Sequence, residues 1–137
     1  MKSTICGVFG IIGGVIASTF GGWSAGLLTL GIFMVIDYIS GLIVAGIFHN
    51  SPKSEGGALE SRAGFKGLVR KGMILLMVLI GARLDILLGL MYIRDGIIIA
   101  FIINELLSII ENAGLMGVPI PKALENAIEL LRQQSEE

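Results

Sequence analysis

Four long apolar runs leave few folds open to this chain. They cover roughly residues 5–20, 25–48, 72–92 and 96–115. A helix needs about 20 predominantly apolar residues, in a range of about 17–25, to cross the hydrocarbon core of a bilayer. The last three runs meet that length. The first is shorter and carries Gly7, Gly10, Gly13 and Gly14, so it spans, enters partway or lies at the interface. The fold expected is all-α: an integral membrane helical bundle of three to four transmembrane helices plus a C-terminal amphipathic helix.

Composition agrees with that class. Of 137 residues, 54% are hydrophobic and 15% charged, and the mean hydropathy is +0.87. Soluble domains carry about 25% charged residues, so this chain lacks most of the surface a water-soluble fold needs. A net charge of −1 offers no basis for binding nucleic acid. Cys6 is the single cysteine and His49 the single histidine, which argues against an internal disulfide, a zinc or haem site and a catalytic triad. No enzyme, metal or cofactor is expected. Lys2 ahead of the first apolar run imitates a secretory signal, but no A-x-A-like cleavage site follows and Cys6 comes too early for a lipoprotein. The first run is therefore expected to stay as a helix.

Half of the ten Lys and Arg residues, namely Lys53, Arg62, Lys66, Arg70 and Lys71, fall between the second and third runs. The positive-inside rule assigns that loop, 49–71, to the cytoplasm. Its stretch SPKSEGGALESRAG is polar and glycine-rich, hence expected to be mobile. Runs three and four are joined by a tight turn around Arg94 and Asp95, and the fourth returns the chain to the inner face. Trp23 and Tyr92 suit the outer interface, where amphipathic aromatics gather. Two segments result: a transmembrane domain over 1–116 and a cytoplasmic amphipathic helix and tail over 117–137. In that tail Leu124, Ala127, Ile128 and Leu131 form one stripe opposite Lys122, Glu125, Asn126, Glu129 and Arg132. Such a helix lies on the inner leaflet, packs on a partner, or is a solubilising cap.

Charges inside the apolar runs are the candidate functional residues. Asp37, Arg83 and Glu105 fall near the middles of runs two, three and four. Each costs about 2.5–3.5 kcal/mol at a lipid-exposed helix centre, so Arg83 is expected to meet Asp37, Glu105 or both. Asp85 sits about 200° around the helix from Arg83, so one of the two must face another subunit or a water-filled space. Acids outnumber the one arginine, which fits an oligomer. In run four, Asn104, Ser108, Glu111 and Asn112 recur at helical spacing with Glu105 beside them, making one polar stripe. Interhelical glue and pore lining both account for such residues. Gly10-x-x-x-Gly14 and Gly22-x-x-x-Gly26 permit close helix approach, though twenty glycines make such matches common.

Three motifs carry a resemblance. IDYISG (36–41), SRAGFKGLVRK (61–71) and NELLSIIENAGLMGVPIP (104–121) resemble those of the toxin-secretion and phage-lysis holins, small multispanning proteins of Gram-positive phages and clostridia. The likeness runs from about residue 30 to about residue 131. It implies a protein of the bacterial cytoplasmic membrane that works in the lipid bilayer as a homo-oligomer, opens a pore or lesion, and releases an endolysin or a secreted toxin. Asp37, Arg83, Asp85, Asn104, Glu105, Ser108, Glu111 and Asn112 are then candidates for assembly and pore formation. Two other functions stand beside it: a small proton-coupled transporter using Glu105 or Asp37, and a passive membrane anchor for a soluble partner.

Overall fold

The computed structural model describes residues 1–54 and 56–136. The last residue of the expected tail, 137, and residue 55 of the expected loop lie outside them. Among the described residues the chain is all-α, with five helices: α1 Lys2–Thr19, α2 Ala25–Gly46, α3 Ser61–Leu88, α4 Ile93–Leu115 and α5 Lys122–Glu136. By length and composition, α1 and α2 are apolar enough to cross a membrane. Helices α3 and α4 are as long, at 28 and 23 residues, and carry most of the charged residues discussed below.

Helix boundaries follow local chemistry more than hydropathy. The Ser24 side chain accepts a hydrogen bond from the Leu27 amide at 3.1 Å and so caps α2, satisfying one of the orphan donors of a helix start. Helix α3 begins eleven residues before its apolar run, at Ser61. Nothing between Ser61 and Gly72 breaks a helix, so the backbone continues through the basic residues. Arg62, Lys66, Arg70 and Lys71 therefore sit on a helix, not in the loop to which the sequence assigned them; the true linker is 47–60. Asn50 Nδ2 donates to the Leu115 carbonyl at 3.4 Å, which ties that linker to the end of α4.

Helix α4 is the spine. It packs along α2 and α3, while α2 and α3 touch each other little. The core comprises Leu27, Leu30 and Met34 of α2, Val78 of α3, and Ile98 and Ile102 of α4. Leu30, Val78 and Ile98 are at most 1% exposed. Helix α1 stands apart, with Ala17 its one buried residue among those described and Phe9, Ile11 and Val15 well exposed. Helix α5 packs on α4 through Ile128, and Leu131 reaches the core. Its apolar stripe is thus partly covered within the chain, with Leu124 left exposed.

The α3–α4 turn explains Asp85. Its two carboxylate oxygens accept the Ile93 and Arg94 amides at 2.9 and 3.0 Å, where the positive end of α4 favours an anion. The Arg94 guanidinium in turn donates to the carbonyls of Phe20 and Gly22 at 2.7 and 2.8 Å, strapping the α1–α2 linker to α4. At Gly81 the helices come so close that an added Cβ would lie 2.7 Å from Ile97 Cδ1 and 3.0 Å from Arg94 Cα. One of those neighbours is backbone and cannot swing aside. Gly81→Ala should therefore lower stability by about 1–3 kcal/mol, the usual cost of overpacking, measured by denaturant titration of the protein in detergent micelles.

Candidate functional site

The three sequence motifs fold onto one another. Asp37 of α2 and Glu105 of α4 face the same cation, and that cation is Lys71 of α3. Its ammonium lies 2.8 Å from Asp37 Oδ2 and 2.8 Å from Glu105 Oε2. The three side chains are 14%, 7% and 4% exposed for Lys71, Asp37 and Glu105, so the bridge is largely out of water. Asn112 completes it from one helical heptad below Glu105. Its Nδ2 donates to Asp37 Oδ1 at 3.2 Å and to Ser40 Oγ at 2.8 Å. The Ser40 hydroxyl donates to the Asp37 carbonyl at 3.1 Å. Among the described residues no buried side-chain polar atom is left without a partner, as an interior of low dielectric requires.

Small residues let α3 approach α2 here. Gly64, Gly67 and Lys71 share one helix face, and the Tyr38 ring lies on the two glycines; an added Cβ at Gly67 would come 3.6 Å from that ring. The Tyr38 hydroxyl donates to the Gly64 carbonyl at 3.4 Å. The Asp-Tyr pair thus does two jobs: Asp37 takes the lysine and Tyr38 seats the helix that brings it.

Beside the bridge a cleft of about 630 Å³ opens between α2 and α3, with Asp37, Lys71 and Glu105 at one end and linker residues such as Ser51 and Lys53 at the other. Lys66 and Arg70 line one side of it, and Asn104, Ser108 and Glu111 the α4 side. The stripe expected on α4 is therefore two edges about 100° apart. Glu105 and Asn112 are buried against α2, while Asn104 and Glu111 are exposed and Ser108 half-buried along the cleft.

Arg83 does not join the bridge. It is exposed and, among the described residues, forms no ion pair. The pairing with Asp37 and Glu105 expected for it is made by Lys71, a residue that hydropathy consigned to a loop because the apolar run begins one position later. Helical spacing held the signal, since Gly64, Gly67 and Lys71 fall at i, i+3 and i+7. Asp85 is the other departure, since the α3–α4 turn uses it within the chain. No group of three or more metal-ligating side chains occurs among the described residues.

The model of the bacteriophage holin family matches residues 14–133, a span that contains every residue of this network. The chain belongs to the bacteriophage holin family. Among its relatives is an uncharacterized protein of Listeria monocytogenes, 37% identical over 132 residues, covering 94% of this chain and 89% of that protein. The uncharacterized 14.9 kDa protein in the nagH 3' region of Clostridium perfringens is 38% identical over 117 residues, covering 84% and 83%. A probable holin of Bacillus phage phi105 is 29% identical over 104 residues, covering 75% of this chain and 71% of its own length. No solved structure matches the chain.

In this holin-family chain the bridge sets a clear energetic test. Removing the cation strands two buried carboxylates side by side, and breaking a buried pair costs about 3–5 kcal/mol. Lys71→Met should lose stability on that scale in micelles. Adding Asp37→Asn and Glu105→Gln to Lys71→Met should restore most of it, because the stranded charges are gone.

Proposed function

We propose that the chain acts as a holin: it inserts in the bacterial cytoplasmic membrane as a multi-pass protein, assembles with copies of itself, and opens a lesion that lets an endolysin or toxin out. Helices α1 to α4 form the membrane domain, over residues 1–116, with three to four spans. The 47–60 linker and the segment after residue 116 face the cytoplasm. Support for this orientation comes from Trp23 and Tyr92. Both are about two-thirds exposed, and the Arg94 strap holds their segments at the same end of the bundle, opposite the basic linker.

The buried lysine bridge, in a bundle that exposes many large apolar side chains, carries the reading. Such a network is costly in a bilayer and gives a small bundle a polar seam that a larger assembly can turn toward water. The sequence candidates divide by role. Asp37, Glu105 and Asn112, with Lys71, hold the chain to itself. Arg83, Asn104 and Glu111 are exposed and available to a second copy or to water, with Ser108 at the cleft edge. Asp85 maintains the turn. No step makes or breaks a covalent bond, so no enzyme activity is assigned.

The cleft that reaches Asp37 and Glu105 favours one second reading, a small proton-coupled transporter with those carboxylates at its site. Induced expression separates the two. Holin action gives a delay, then abrupt collapse of membrane potential and release of a co-expressed endolysin, whereas transport gives saturable, pH-dependent flux in polarised cells. Cells that stay polarised while the protein accumulates in the membrane would overturn the holin proposal. Lys71→Met and Glu105→Gln should each shift the time of collapse by severalfold; unchanged timing in both would remove the bridge from the trigger.

A further inference from the structure

The bridge divides the bundle into two unlike halves. Seven residues from Asp37, Lys71 and Glu105, toward one end, lie Leu30, Val78 and Ile98, all at most 1% exposed. Two helical turns, about 10 Å, separate the layers. Between them, one turn from the charges, come Met34, Ile74 and Ile102, which pack in the same core. Two consecutive apolar layers thus stand between the charges and the Trp23 end. Toward the linker end the corresponding positions are small or polar, Ser40, Gly64, Gly67, Ser108 and Asn112, and there the cleft opens.

We infer that the cleft is a water-filled half-path that carries protons from the linker side to the Asp37–Lys71–Glu105 bridge, and that the Leu30–Val78–Ile98 layer seals it from the opposite side. The inference rests on the membrane-spanning part of the function proposed above. Its floor groups are Asp37 from α2, Lys71 from α3 and Glu105 from α4, with Tyr38 beside them. Its walls add Lys66 and Arg70 from α3, Glu111 from α4, and Lys53 and Glu60 from the linker. Both signs of charge and several hydroxyls line the space, which therefore holds water readily, whereas a tight apolar constriction excludes water and with it ions. Each subunit would then contain its own gated proton route, separate from any lesion built between subunits.

Two readouts on the full chain test this, both with Cys6→Ser as background. In membrane vesicles of opposite sidedness, Ser108→Cys should react with a membrane-impermeant maleimide from one face only, the face at which Ser54→Cys in the linker also reacts. Val78→Cys should react from neither. Reaction of Ser108→Cys from both faces, from neither, or from the face opposite Ser54→Cys would overturn the half-path. In proteoliposomes below the protein density that releases trapped calcein, Val78→Ser should admit protons about tenfold faster than the parent under an imposed potential, by wetting the constriction. Val78→Ala should remain tight, because an apolar cavity stays dry. Val78→Ser no faster than Val78→Ala would overturn the seal. Neither readout needs lesions, so lytic action and this route fail separately: the first on endolysin release in cells, the second on labelling and proton flux.

Discussion

A single ammonium group holds three helices in register. Asp37 and Glu105 lie on helices that pack side by side, and their carboxylates would repel if both were charged and alone. Lys71, at 2.8 Å from each, converts the repulsion into a bridge. Because the side chains are largely buried, its geometry is narrowly set: a slip of α3 by one turn moves the ammonium about 5 Å and strands both acids. The close Tyr38–glycine contact and the Asn112–Ser40 bonds fit only that register. The apolar layers on one side and the cleft on the other then follow from which residues stand one and two turns away.

This arrangement gives a small membrane chain internal polarity. An apolar core alone would tolerate many registers, since hydrophobic contacts are not directional. A buried polar network is directional, and its cost when incomplete excludes alternatives. The network spans the three motifs that carry the resemblance to small holins, and the family match covers all of it. These motifs therefore have a structural meaning, namely that each contributes one arm of the same bridge. Helix α1, with its apolar side chains exposed and the start of the chain outside the matched span, contributes least to that unit.

Much was legible from residues alone. Long apolar runs gave helices, and the tail stripe of Leu124, Ala127, Ile128 and Leu131 gave α5. The depth of Asp37 and Glu105 was readable because both fall mid-run. Their cation was not. Hydropathy ends at Gly72, but hydrogen-bonded backbone does not stop where side chains turn basic, so α3 extends to Ser61 and carries Lys71 to the same level. Arg83, mid-run by hydropathy, stands twelve residues along α3 from Lys71, about 18 Å nearer the α3–α4 turn, because the helix starts well before its apolar run.

The sequence by itself determined the class of fold, the four long apolar helices, the amphipathic fifth and the acids that must be neutralised, because these depend on local periodicity and on the cost of charge in an apolar medium. Only the tertiary structure decided which cation bridges them, that Asp85 caps α4, that the α4 stripe splits between bridge and cleft, and that α5 folds onto α4. Each of those choices depends on the rotation and register of one helix against another, which packing sets through contacts such as Gly81 against Arg94 and Tyr38 against Gly64, between residues far apart in the chain.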